Sequence, residues 1–351
     1  MEGGRPVESQ GNGETSGPER DAETGMGLAT KSASYGAEAH QVRGFEAKPH
    51  LSPVTDSPGK NLKEQPHQGR AGTAGKQNRG SVGLTRGLHQ SPPTLLWPGP
   101  MPLLEIVAYS YASALTAQQG GADRIELCDN TAEGGTTPSL GTIEAVRELP
   151  GVKLHVMIRP RGGDFLYTDA EYKIMLRDIT VARDAGADGV VFGLLRPDAT
   201  VDLERTRRLV TAAKGMSVTF HRAFDWAAHP ESALEAVIAA GCHRVLTSGQ
   251  APDALTGAPM LAKLVQQAGR RCQILAGGGL NLGNIAEVIR LSGVQEVHAS
   301  LRGIQLTAMR VRPPSVALGA APDWPADGIP VADQAKVTAV VALLRGLPSA
   351  D

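Results

Sequence analysis

Residues 101–128 read MPLLEIVAYSYASALTAQQGGADRIELC, and this stretch decides the fold. An apolar run at 103–108 leads into ASALTAQQGGA, a helical segment that stops at paired glycines, and a second apolar run follows at 124–128. A short buried strand, an amphipathic helix ended by Gly and another short strand make one βα unit of a parallel sheet. The unit recurs, with further strands predicted at 153–159, 189–193, 217–221, 244–247, 273–276 and 296–299. Helical stretches such as GTIEAVREL, EYKIMLRDITVARDAGA and NIAEVIRLSG lie between them. Eight such units in roughly 250 residues match the (βα)8 TIM barrel in count and size. A doubly wound open sheet needs a Gly-rich fingerprint after its first strand, and AYSYASA stands there instead. Beyond the eighth strand, the Pro-rich RVRPPSVALGAAPDWPADGIP precedes DQAKVTAVVALLRGL, an extra C-terminal helix that closes the barrel. The barrel domain is therefore expected at 101–348.

The preceding hundred residues differ in kind, since 27 of them are Gly or Pro and no helical or strand period appears. Such a segment buries too little apolar surface to offset its ordering entropy, so residues 1–100 are expected to be a disordered extension. Met101 directly precedes the first strand pattern, so the extension also reads as a gene-model artefact upstream of the true start. With 35 Lys+Arg against 36 Asp+Glu, the chain has no excess positive charge for nucleic acid or for an anionic membrane surface. No apolar run approaches the length of a bilayer span. The N-terminus, MEGGRPVESQ, lacks the basic start and apolar core of a secretory signal. Three dispersed cysteines, Cys128, Cys242 and Cys272, form no disulfide framework and fit a reducing, cytoplasmic setting.

In a barrel of this type the chemistry sits at the carboxyl ends of the strands. Glu105, Glu126, Arg159, His221, Arg222, Asp225 and His298 all fall at or near such ends. Alternation puts Glu126 and Cys128 on one strand face, and His155, Met157 and Arg159 on another. Buried charges are costly unless paired, so their convergence on one pocket is the economical account. Glu105, Glu126, His221, Asp225 and His298 are the candidates for acid–base work. Arg159, Arg161 and Arg222 are the candidates for binding an anion. The loops after strands seven and eight, AGGGLN and SLRG, add Gly277, Gly278 and Ser300, because Gly lets backbone N–H groups converge on a phosphate or carboxylate. The loops DNTAEGGTTPSLG and RPRGGDFLYTDAE are long enough to form a lid.

The motifs RIELC, EGGTTPS, MIRPRGGDFLYTDAE, TFHRAFD, LTSG, AGGGL and EVHAS, in this order and spacing, resemble those of the CutC family, named for copper homeostasis. The resemblance is strong over 101–302. It implies a cytoplasmic (βα)8 barrel that forms a homo-oligomer and binds copper as Cu(I), without an assigned catalytic activity. It also implies that members lack the first hundred residues found here. Cu(I) prefers thiolate and thioether donors, and the soft set at the strand ends is Cys128 and Met157, with His221 and His298 as nitrogen ligands. Cys242 and Cys272 belong to the opposite rim, where they and His243 form a second possible site. Two functions follow: a Cu(I)-binding homeostasis protein anchored on Cys128, or a barrel enzyme acting on a small phosphorylated or carboxylated metabolite through Glu and His. Two arginines, two glutamates and a Gly-rich loop suit the second better, but the family resemblance favours the first, and copper homeostasis is the expectation taken forward.

Overall fold

The computed structural model describes residues 101–311 and 328–347. Eight parallel strands close into a barrel in sequential order. They are β1 (Leu103–Ala108), β2 (Arg124–Leu127), β3 (Lys153–Met157), β4 (Gly189–Phe192), β5 (Ser217–Phe220), β6 (Arg244–Thr247), β7 (Gln273–Gly277) and β8 (Glu296–Ala299). Seven helices alternate with them: α1 (Tyr111–Gln119), α2 (Leu140–Arg147), α3 (Asp169–Asp184), α4 (Leu203–Ala212), α5 (Pro230–Ala240), α6 (Ala258–Ala268) and α7 (Ile285–Ser292). Strands β2 to β5 stop one or two residues earlier than the sequence suggests, which leaves Cys128, Arg159, Gly193 and His221 on the loops above the barrel. The expectations for residues 1–100 lie outside the described residues.

Local chemistry explains the helix starts. Ser110, Ser139 and Asp202 accept the backbone N–H three residues on, and Thr168 with Glu171 forms a reciprocal capping box on α3. Outward-facing strand residues such as Ile106, Ile125, Leu127, Phe192 and Phe220 are fully buried against these helices. The C-terminal helix α8 (Gln334–Arg345) is present, as expected. Not foreseen is an antiparallel pair, β9 (Arg302–Leu306) with β10 (Gly328–Ala332), flanking the Pro-rich stretch. Ala332 ties this pair to the barrel by donating its N–H to Ser113 Oγ of α1 at 2.9 Å.

The strand register stacks the inward residues in layers of four, contributed by alternate strands. From the amino end upward, these are Arg124, Gly189, Arg244 and Glu296; then Glu105, His155, Thr219 and Leu275; then Glu126, Val191, Leu246 and His298. Val107, Met157, His221 and Gly277 form the uppermost layer. Barrel interiors are normally filled by Val, Ile and Leu, so the lower half here is unusually polar. Arg124 donates to Glu105 and, at 2.5 Å, to Glu296 Oε2, to which Arg244 Nε also donates at 3.0 Å. Arg244 Nη1 donates to Ser217 Oγ at 2.6 Å. Glycine makes room for the two bulky imidazoles: a Cβ at Gly189 would lie 2.5 Å from the His155 ring, and one at Gly193 would lie 2.5 Å from His221 Nδ1.

Candidate functional site

A pocket of about 610 Å³ opens at the carboxyl ends of the strands. At its floor, Glu126 and His298 share the third layer of the interior. His298 Nδ1 lies 2.7 Å from Glu105 Oε1, and its Nε2 lies 3.8 Å from Glu126 Oε2. The three side chains form a line, carboxylate–imidazole–carboxylate, leading up from the paired lower barrel. Burial pushes Glu105 up, but Arg124 and His298 outweigh it and hold the carboxyl well below its usual range. Among the described residues no arginine forms an ion pair with Glu126, and His298 Nε2 stands off at 3.8 Å. Burial, with the neighbouring charge of Glu105, pushes it up to about 7 against the pull of His298. Burial likewise works against a charged His298, yet Glu126 and Glu105 together raise it. One oxygen of Glu126, Oε1, is buried with no hydrogen-bond partner among the described residues. Glu105 sits lower than the sequence reading placed it, mid-strand and fully buried, and it does not line the pocket.

His221 faces the pocket from the opposite wall. Its Nδ1 accepts the N–H of Ala223 at 3.2 Å, so in the neutral ring the proton is on Nε2. Burial, assisted by the positive charge of Arg159, lowers its pKa to about 3 and keeps it neutral. Nε2 has no protein partner among the described residues. Phe165 packs on this ring with centroids 5.0 Å apart, and Trp226 meets Phe165 edge-on at 5.3 Å.

The anion side lies above β6, β7 and β8. Gly278 and Gly279 adopt positive φ, 107° and 70°, and Leu301 follows at 40°. The N–H groups of Gly278, Gly279 and Ser300 donate to no protein acceptor among the described residues. Arg222 stands beside them: its Nε donates to Asp225 Oδ2 at 2.7 Å, its Nη2 donates to Ser248 Oγ at 3.1 Å, and its Nη1 would lie 3.7 Å from a Cβ on Gly278. Asp225 is fully engaged as an anchor, accepting also from Thr247 and from the N–H groups of Ser248 and Gln250. Arg302 and Tyr109 complete this wall, the guanidinium 5.6 Å from the ring centroid.

Two of the predicted anion ligands do other work. Arg159 Nη1 donates to Glu133 O at 2.5 Å and Gly135 O at 2.9 Å, and Nη2 donates to Gly163 O at 2.7 Å, so this arginine clamps the two long loops together at the rim. Arg161 points to Glu171, Asp164 and Leu166 O, outside the pocket. Gly277 belongs to β7, and its lack of a side chain accommodates Leu246, 2.5 Å from where a Cβ would be.

Cys128 and Met157 share a small buried cluster with Val107 and Val191. Met157 reaches the pocket wall, but Cys128 lies behind it, 1% exposed, its Sγ 3.7 Å from Glu126 Oε2. Burial and the neighbouring Glu126 raise its thiol well above the ordinary range. At the other rim burial pushes Cys272 up to about 12, and His243 Nδ1 is occupied by the N–H of Val218 at 3.0 Å. For a metal, Glu105, Glu126 and His298 bring one donor atom each within 4.8 Å of one another. These are hard donors. Glu105 is already bound by Arg124 and His298, and Cu(I) selects sulfur, so the set does not fit Cu(I).

The sequence reading missed Arg124, Arg244 and Glu296. Each opens a strand, in RIEL, RVLT and EVHA, and a charge at the first position of three barrel strands was the available signal. It also missed Tyr109, Trp226 and Arg302 at the mouth.

The CutC family model matches residues 102–303, more than half of the chain. A CutC family protein of Chromobacterium violaceum is 54% identical over 218 residues, covering 62% of this chain and 88% of the relative. The copper homeostasis protein cutC homolog of Homo sapiens is 42% identical over 245 residues, covering 70% of this chain and 90% of the relative. A CutC structure from Streptococcus agalactiae superposes with a TM-score of 0.54 at 33% identity, covering 56% of this chain and 98% of that one. With its closed eight-stranded barrel and these matches, the chain belongs to the CutC family of copper homeostasis proteins.

Proposed function

We propose that this chain is a barrel enzyme acting on a small anionic metabolite, with Glu126 and His298 as acid and base. The observation that carries the reading is Glu126: a buried carboxyl facing the pocket, pushed up to about 7, with one oxygen unpartnered. A general acid or base works best when its pKa lies near the working pH, and a structural carboxyl this deep would be paired. Arg222 and the free N–H groups of Gly278, Gly279 and Ser300 supply the complementary anion site on the neighbouring wall.

Cu(I) binding in the cytoplasm is the second reading, and one observation favours it. Cys128 and Met157, the two soft donors, share one buried cluster of which Met157 reaches the pocket wall, and the human relative is named for copper homeostasis. The free thiols suit a reducing compartment, and among the described residues no helix is long and apolar enough to cross a membrane. A single protonated, covered thiol is a weak anchor for Cu(I).

One pair of assays separates the readings. Differential scanning fluorimetry against phosphorylated and carboxylated metabolites should raise the midpoint of the wild type, and Arg222→Ala should abolish the rise. An anaerobic Cu(I) titration against a competing chelator should show weak binding that Cys128→Ser leaves unchanged. Tight, Cys128-dependent copper binding with no metabolite response would overturn the enzyme reading in favour of the copper one.

A further inference from the structure

We infer that the pocket enolises a short hydroxy-carbonyl phosphate, with the phosphate on the Gly278–Gly279–Ser300 loop pair, the carbonyl oxygen on His221 and the adjacent carbon over Glu126. The inference rests on the acid–base reading above and names its substrate class and step. Three observations converge on it. The first is the fixed tautomer of His221. Because Ala223 N–H occupies Nδ1, the Nε2–H is the ring's remaining donor; it is buried and without a partner among the described residues, on a ring that lines the pocket. A neutral imidazole in this state is a hydrogen-bond donor for a carbonyl oxygen that gains negative charge.

The second observation is the relation of the walls. Glu126 and His298 stand on β2 and β8, and His221 follows β5 across the barrel. A ligand between them meets the carboxylate on one side and the N–H donor on the other. The third is the spacing along β8. Ser300 lies two residues beyond His298, about 7 Å at the rise of a strand, and Gly278 lies just beyond Gly277, the register partner of His298. That distance is the span of a chain of a few carbons between a reacting centre and its phosphate. Arg222 adds the charge that a phosphate dianion requires. Among the described residues no lysine lines the pocket.

The step balances without an added reactant. The C–H bond next to the carbonyl breaks, its proton passes to Glu126, and its electron pair forms the carbon–carbon double bond. The carbonyl pair moves onto oxygen, where His221 Nε2–H stabilises it. Return of the proton to the same carbon regenerates the substrate. Return to the former carbonyl carbon, with His221 giving its Nε2 proton to the carbonyl oxygen and recovering one from the neighbouring hydroxyl, gives the isomeric carbonyl compound.

The test is solvent exchange in D2O, followed by proton NMR on the full chain. The probes are dihydroxyacetone phosphate, erythrose phosphate and ribulose phosphate, beside their unphosphorylated counterparts. Binding of each probe is measured separately by calorimetry. The expected result is loss of the C–H signal next to the carbonyl for at least one phosphate probe and for none of the unphosphorylated compounds. Glu126→Gln should slow exchange by at least about a hundredfold while still binding the probe, which also shows the variant to be folded. His221→Gln should lower turnover more than affinity, and Arg161→Ala should change neither. Binding of the phosphate probes without exchange, or exchange indifferent to Glu126→Gln, overturns this inference and leaves the acid–base reading standing. Failure of every probe to bind overturns both.

Discussion

The charged side chains of the lower barrel interior and the polar groups of its upper half stand in opposite states, although the neutral His155 Nδ1 and Thr219 Oγ1 below are also without a partner among the described residues. Below, the buried Glu105, Glu296 and Arg124 and the partly buried Arg244 are joined in one continuous set of ion pairs. Above, among the described residues, Glu126 Oε1 and His221 Nε2 lack a protein partner, as do the N–H groups of Gly278, Gly279 and Ser300. A buried charge that is fully paired holds a fold together, whereas a buried polar group left unpaired costs stability and is explained by what it awaits. The difference separates residues that specify the barrel from residues that serve the pocket, although both are Glu, Arg and His inside the same strands.

That contrast can be broken most directly at its lower end. Arg124→Ala leaves Glu105 and Glu296 without their cation, and the expected loss is about 3–5 kcal/mol in urea unfolding; a loss below about 1 kcal/mol would erase the distinction. At the upper end, Glu126→Gln is expected to cost little or no stability while turnover falls about 10²-fold or more, so unfolding and activity should part company there. Gly189→Ala probes the space reserved for His155 and should cost about 1–3 kcal/mol by overpacking, read as a lower thermal midpoint.

A pH series sharpens the comparison. Glu126 ionises near 7 in the folded chain and near its ordinary value of 4.5 when unfolded. Its contribution to stability is therefore fully present below about pH 4.5 and is lost as pH rises through about 7. Wild type should lose stability relative to Glu126→Gln across that window, and parallel curves would show that Glu126 is not perturbed. Glu105 has the opposite sign, its stabilisation present above the ordinary carboxylate range and lost in strong acid. The smallest effect is expected at Arg161→Ala, where partly exposed ion pairs to Glu171 and Asp164 contribute at most about 1 kcal/mol.

Much of the barrel was legible because its signal is periodic: eight apolar runs separated by helices that end in Gly. The β9–β10 pair was not, because strands this short in a Pro-rich context carry no alternation that separates them from loop. At the site, Glu126, His221 and His298 were legible as polar residues where an ordinary core has none. What those residues touch was not. Arg159 and Arg222 look alike in sequence, yet the carbonyls of Glu133, Gly135 and Gly163 occupy Arg159, while Arg222 keeps Nη1 beside Gly278. Asp225 read as an acid–base group, but five donors, from Arg222, Thr247, Ser248 and Gln250, make it an anchor. Cys128 read as the anchoring soft ligand at a strand's carboxyl end, on the same face as Glu126, but the loop at Gly135, whose Cβ would lie 3.1 Å from Sγ, covers it.

The most direct test of the division between a paired lower barrel and a waiting upper one is isothermal titration of the full chain with inorganic phosphate. Wild type should bind it saturably. Arg222→Ala should bind it at least about tenfold more weakly, the loss of a charge-assisted hydrogen bond, and Cys128→Ser should bind it as wild type does. An absence of phosphate binding, or binding unaffected by Arg222→Ala, would contradict the account.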